Sequence, residues 1–385
     1  MSLGIYVHVP FCRSKCPYCD FYSVVNRDED IKEKFTERLI REIREGSELP
    51  WFLRTKPDTL YFGGGTPALL STSQLERITG TVKDIFGGEE LKEVTIEVNP
   101  GSTDLQKLKE LRSIGFNRLS VGVQSFDDEI LRKLGRLHKS QDSFRVMEDA
   151  GKAGFENVSI DLMFGIDGQS FETWETSLHT AIDLRPEHLS LYSLEFQEGT
   201  VFTRLLREGR MKETDPEEDR RMYETAHDEL ERAGYEHYEI SNFAEPGCRS
   251  MHNMKYWSLQ EYLGLGPGAH SYLRREDNGL GQRFYNRPDL KAYLDGTDIR
   301  VMSEPNDISD DASEFMITAL RLTEGVSKEE FRDLFGVGVW DFFGDVARLQ
   351  FQSFVQTGHA LEDEDRITLT LQGFNVSNRI LSIFV

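Results

Sequence analysis

Two rhythms alternate through the first half of the chain. Short runs that are apolar on average, at Gly4–Val9, Thr59–Phe62, Val94–Val98, Arg118–Val121, Val158–Leu162 and His188–Tyr192, are each followed by polar or glycine-rich sequence. Between them, helical patterns run over Ile31–Glu45, Ser73–Phe86, Asp104–Ile114, Ser140–Ala153 and Phe171–Leu184. Strands alternating with helices in this way predict an α/β fold with a parallel sheet covered by helices. Right-handed crossovers restrict it to a doubly wound sheet or a partial barrel.

After Tyr192 the rhythm changes. Asp215-Pro216-Glu217 has the cap, proline and acid of a helix start, and the helix runs to about Ala233, closed by Gly234. A strand is expected over His237–Ser241, and residues 271–288 read as polar and irregular. A separate module begins near Glu304: a helix over Asp311–Leu322, a second capped by Ser327 with Glu330 at its third position, a third helix, and a β-wing around Ala360–Leu371. The expected domains are therefore 1–200, 201–303 and 304–385.

The last module has the order of a winged helix, whose usual partner is DNA. Its 15 acidic and 6 basic residues oppose that, as does the net charge of −22 over all 385 residues. No nucleic acid partner is expected. No apolar run is long enough to span a membrane, and none resembles a signal peptide, so the expected location is the cytoplasm. Thiols stay reduced there, which sets disulfides aside.

That matters because three of the four cysteines crowd into one loop. Cys12, Cys16 and Cys19 follow the first strand with the spacing C-x3-C-x2-C. Such a loop can bring three thiolates to one centre. On a four-iron cluster, three ligands leave one iron open to a small molecule. A zinc site that recruits His8 or a distant histidine is the alternative. Other strand ends are also polar. The second is followed by Gly63-Gly64-Gly65-Thr66-Pro67, with no lysine to make it a phosphate loop. Bare glycines there would expose backbone groups to a ligand. Glu97, Gln124, Asp161 and Tyr192 stand at the next four ends. Each has a plain structural reading as a surface charge, loop cap or helix cap. Their joint placement at consecutive strand ends favours a site at the mouth of a barrel.

The cysteine spacing after a first strand resembles the radical S-adenosylmethionine (SAM) superfamily. The stretches YVHVPFC, GGGTP, IEVNPG, GFNRLSVGVQSF, LRKLGRLH, DLMFG, HLSLY, GYEHYEISNFA and HNMKYW narrow this to the oxygen-independent coproporphyrinogen III oxidase-like proteins. EFMITALRLTEGV carries the resemblance into the C-terminal module. It implies a partial (β/α)6 barrel with a small, mainly helical, winged-helix-like C-terminal domain. It implies a 4Fe-4S cluster on Cys12, Cys16 and Cys19, with SAM on the open iron contacted by Tyr6, Gly64 and Glu97. Tyr18, Gly65, Thr66, Gln124, Arg136 and Asp161 fall on positions that contact a second SAM in the decarboxylating enzymes.

Two activities are compatible with this resemblance. One is oxidative decarboxylation of coproporphyrinogen III. The other is haem binding and delivery, as in the haem-chaperone branch. Phe21 stands where the decarboxylases have a further cysteine, the loop begins at residue 12 without their N-terminal extension, and His252-Asn253-Met254-Lys255-Tyr256-Trp257 matches the HNxxYW motif of the chaperone branch. All three favour the chaperone. The implied partners are haem or a porphyrin, haem-accepting proteins and an electron donor. His252 is the expected haem ligand and His270 its reserve. Tyr256 and Trp257 are expected in the core, and Cys248 as a buried small hydrophobe. Asp167 departs from the branch, which often has proline there.

Overall fold

The computed structural model describes residues 2–46, 56–87, 91–297 and 299–385. Six strands, β1 (Leu3–Val9), β2 (Pro57–Gly64), β3 (Glu93–Val98), β4 (Arg118–Gln124), β5 (Val158–Phe164) and β6 (His188–Ser193), lie side by side in chain order. All five pairings among them are parallel. Ile5, Val7, Leu60, Phe62, Ile96, Val121, Ile160 and Leu189 are buried completely, as expected for parallel strands covered on both faces.

Between the strands lie α1 (Glu29–Gly46), α2 (Thr72–Phe86), α3 (Leu105–Ser113), α4 (Asp128–Lys133), α5 (Ser140–Ala153) and α6 (Phe171–Asp183). Their starts follow local chemistry. Ser71 and Gln74 close a capping box on α2, and Asp104 caps α3 through Lys107 N. Beyond α7 (Val201–Arg207), α8 (Pro216–Arg232) begins at the Asp215 cap. Trp174 of α6 is buried against it and donates to Met222 O at 3.1 Å.

The sheet stays open as a partial barrel. The expected strand at His237–Ser241 is instead a hairpin, β7 (Glu236–Glu239) and β8 (Asn242–Ala244), with β8 antiparallel to β6. At the other edge, β9 (Tyr262–Leu265) is a seventh parallel strand beside β1. It is extended by β10 (His270–Arg274), β11 (Gly281–Asn286) and β12 (Arg300–Met302), all antiparallel. Residues 271–288 are therefore largely strand, not irregular. Arg283 disguises the alternation: its guanidinium lies 4.9 Å from the Tyr272 ring, so a charged residue covers an apolar one. Buried Glu42 ties this edge to α1, accepting from Gly266 N at 2.9 Å, Asn286 Nδ2 at 2.6 Å and, on α10 (Leu290–Asp295), Tyr293 OH at 2.6 Å.

The C-terminal part has three helices, α11 (Ile308–Ala319), α12 (Lys328–Phe335) and α13 (Val339–Gln356), around buried Phe331, Phe351 and Phe384. The first begins one turn earlier than expected because Asp307 and Asp310 form a capping box. Ser327 caps α12 through Glu330 N. A three-stranded sheet of Val326–Ser327, Ala360–Glu362 and Arg366–Leu369 forms the wing. Two short helices follow, Leu371–Phe374 and Ser377–Leu381.

Candidate functional site

The loop after β1 and the glycines after β2 pack as one unit. Gly65 N donates to Val9 O at 2.9 Å and Thr66 N to Phe11 O at 2.8 Å. A Cβ on Gly65 would sit 2.6 Å from Phe11 O, and one on Gly64, whose φ is +102°, 2.5 Å from the His8 ring. The glycines thus serve close approach, and the amides of residues 64–66 are already satisfied. The third of these, Gly64 N, donates to Glu97 Oε2 at 3.2 Å.

Cys12, Cys16 and Cys19 are free thiols on this loop, all facing one cavity of ≈1540 Å³. Burial raises the Cys12 thiol above its ordinary value and pushes Cys19 up to about 11. Metal binding would therefore have to displace protons. Two donors approach the sulfurs: Thr66 Oγ1 is 4.0 Å from Cys12 Sγ, and Arg136 Nη1 is 3.8 Å from Cys16 Sγ. Neither ring nitrogen of His8 is free for a metal. Its Nε2 meets Tyr22 O at 2.8 Å and its Nδ1 meets Tyr6 OH at 3.2 Å. Among the described residues no three His, Cys, Asp or Glu side chains converge closely enough for a single ion. A donor set of three thiols around a larger space, with no histidine to complete it, fits a multi-iron cluster with an open position.

Two carboxyls share the cavity with the thiols. Glu97 also accepts from Tyr61 OH at 2.9 Å, yet burial and then the nearby Asp161 push it up to about 7. Asp161 takes two 3.2 Å contacts from Ser120 Oγ and is pushed up to about 6, mainly by burial. The register explains their proximity: Glu97 pairs with Ser120 across β3 and β4, and Ser120 reaches Asp161 on β5. A cationic ligand would relieve both shifts. Gln124 sits beyond a register shift at the end of β4 with a φ of +68°, an unusual backbone for a side chain, and it faces the cavity. Arg136 is held by Gly122 O at 2.7 Å and by Asn99 Oδ1. Asn99 in turn donates to Thr66 Oγ1 at 2.8 Å. Asn99 and Ser120 thus position the expected residues. Asn99 was legible only as a polar residue after β3, and Ser120 carried no signal.

The cavity lining gathers Cys12, Cys16, Tyr18, Cys19, Gly64, Gly65, Thr66, Glu97, Gln124, Arg136 and Asp161. Tyr6 stays behind it, stacked on Tyr61 at 6.1 Å and close to Gly63. Lys133 pairs with Asp167 at 3.1 Å, fixing the loop where the proline is missing. Cys248 is only half-buried, not the enclosed hydrophobe expected.

His252 does not meet the expectation of a haem ligand. It lies on α9 (Met251–Trp257), 1% exposed, at the opposite ends of the strands. Its Nδ1 faces Thr59 Oγ1 at 2.9 Å and its Nε2 faces Tyr256 OH at 2.8 Å. Burial, then Lys255, lowers it to about 3. No lone pair is left for iron. Its neighbours Asn253, Tyr256 and Trp257 do line the cavity, so the two aromatics expected in the core reach the site. His270 is exposed, stacked on Tyr285 at 5.1 Å, and outside the lining.

Residues 6–181 match the radical SAM superfamily model, and residues 309–376 match the HemN C-terminal domain. The chain is 36% identical to heme chaperone HemW of Bacillus subtilis, over 99% of this chain and 98% of that protein. The chain belongs to the HemW family of radical SAM proteins. Heme chaperone HemW of Escherichia coli is 31% identical over 100% of this chain and 98% of its own length. The solved structure of coproporphyrinogen III oxidase (HemN) from Escherichia coli, a radical SAM enzyme, aligns with a TM-score of 0.83 at 23% identity. It covers 100% of this chain and 90% of that one, and supports the fold alone. Superfamily membership brings a 4Fe-4S cluster and SAM as cofactors. No described helix is long and apolar enough to cross a membrane.

Proposed function

We propose that the chain is a haem chaperone: it binds haem in the barrel-mouth cavity and delivers it to haem-requiring proteins. The observation that carries this is end-to-end similarity to relatives named heme chaperone HemW. Phe21 supports it locally. It is 61% exposed in the cavity lining, so an apolar ring stands where the decarboxylases carry a thiol.

In this reading Cys12, Cys16 and Cys19 hold the 4Fe-4S cluster. Thr66 and Arg136 direct donors toward the Cys12 and Cys16 sulfurs. Glu97 and Asp161 supply negative charge to a cationic SAM, and Gly64 orients Glu97 through its amide. The chemistry such a cluster supplies when bound is one-electron reduction, which calls for an electron donor. A location in the reducing cytoplasm agrees with four free thiols.

The test is anaerobic cluster reconstitution followed by two assays on the same preparation. Haem titration should give saturable binding, and coproporphyrinogen III should stay unconverted. Turnover to protoporphyrinogen IX without haem binding would restore the enzyme reading.

A further inference from the structure

The cavity exceeds the roughly 300–1,000 Å³ of a single small-ligand pocket. Away from the thiols, its wall is made by the C-terminal part of the chain. Arg321, Asn375, Asn378 and Arg379 line it, together with Trp257 and Asn242.

Arg321 is held in place by its backbone. Its carbonyl accepts from Ile240 N at 3.1 Å, Leu322 bridges to Glu239, and Thr323 N donates to Tyr238 O at 3.1 Å. The segment is therefore stitched to the edge of the barrel sheet. The guanidinium lies 4.9 Å from the Trp257 ring centroid. Its Nε is buried without a partner, and among the described residues it has neither a hydrogen bond nor an ion pair. A guanidinium has five donors in a fork that matches a carboxylate. Here all five lack a protein acceptor. Trp257 Nε1 and Asn242 Oδ1, in the same wall, are also buried without partners. Glu239, which feels the Arg321 charge without forming an ion pair with it, is occupied by Asn242 Nδ2 and pushed by burial up to about 7. Arg379, exposed beside Phe354 at 5.8 Å, adds a second cation without an ion pair. In a chain of net charge −22, two unpaired cations on one cavity wall mark an anion subsite.

We infer that Arg321, seconded by Arg379, anchors the carboxylates of the haem held in this cavity, so that the C-terminal domain reads the ligand's propionates. This rests on the haem-binding reading above. SAM also carries a carboxylate, and the test separates the two sources. Haem, its dimethyl ester and SAM are titrated separately into the cluster-loaded native chain, Arg321→Gln, Arg321→Lys and Arg379→Gln. Free-acid haem should bind the native chain about tenfold more tightly than the ester. Arg321→Gln should lose about tenfold for the free acid and nothing for the ester. Arg321→Lys should fall between, since it keeps charge and loses the fork, and Arg379→Gln should lose less. SAM affinity and iron content should not change. Equal losses for acid and ester would make Arg321 a packing residue and overturn the inference. So would unchanged haem affinity in both glutamine variants, or a loss confined to SAM. No haem binding by the native chain would overturn the functional reading itself, and this inference with it.

Discussion

The two ends of the central strands bury polar side chains in opposite ways. At the C-terminal ends, Glu97 and Asp161 face a cavity and are pushed up to about 7 and 6, mainly by burial. At the N-terminal ends the burial is as deep, but the polar groups face other protein groups and not that cavity. Glu93 accepts from Met251 N at 2.7 Å and His252 N at 3.1 Å. Lys255 meets Asp58 at 2.7 Å, off the axis of a hydrogen bond, and Ser2 Oγ at 2.7 Å. His188 spends one nitrogen on Ser159 and the other on Tyr238, each at 2.7 Å. Burial against protein groups alone builds a scaffold. Burial beside an open cavity leaves capacity for a ligand.

The comparison breaks most sharply at the cysteines. Replacing Cys12, Cys16 or Cys19 by alanine should abolish stable cluster binding, while Cys248→Ala, away from the loop, should keep it. Iron and acid-labile sulfide after anaerobic reconstitution measure this. Zinc in place of iron and sulfide in the native protein would refute the cluster assignment.

At the opposite end the expected losses are in stability. Lys255→Ala leaves the Asp58 carboxylate, 14% exposed, without its cation. Breaking such a pair costs about 3–5 kcal/mol. Urea denaturation should show that loss with cluster content unchanged once refolded protein is reconstituted. A loss under about 1 kcal/mol would mean that water reaches Asp58 freely.

His252→Ala separates scaffold from ligand within one motif. It leaves Thr59 and Tyr256 without partners and opens a cavity beside Gly4, for a loss of roughly 2–4 kcal/mol. The haem spectrum and affinity should not change. A shifted haem band in this variant would return iron to His252 and undo the assignment made from its partners.

This motif also shows where sequence reading stops. The cysteine spacing, the six strands and the polar residues at their ends are local patterns, and a single chain displays them. Where α9 lands is not local. His252 meets Thr59 across 193 positions and Glu93 across 159. Histidine beside tyrosine and tryptophan looks like ligand chemistry until those partners are known. The glycines after β2 looked like exposed backbone for a similar reason, because the carbonyls they meet belong to Val9 and Phe11. Arg321 gave no signal at all: an arginine after a helix is ordinary, and only its lack of partners in the fold marks it.

The smallest effect tests the cavity end by pH. Folded Glu97 keeps its proton up to about pH 7, whereas its ordinary value is 4.5. Between those values the folded chain binds more protons than the unfolded one, so Glu97 makes stability fall as pH rises. Glu97→Gln removes that proton equilibrium, and its amide oxygen can still accept from Gly64 N while its NH2 donates to the Tyr61 oxygen. The variant's stability relative to the native chain should therefore grow between about pH 5 and pH 8, by on the order of 1–2 kcal/mol after allowance for partial exposure. Buried histidines pull the other way, His138 and His237 both being lowered to about 4, which is why the difference between chains is the quantity to read. Urea midpoints of the cluster-free proteins at the two pH values measure it. A difference that stays constant with pH would show that burial beside the cavity does not hold the Glu97 proton, and the contrast between the two ends would fail at that residue.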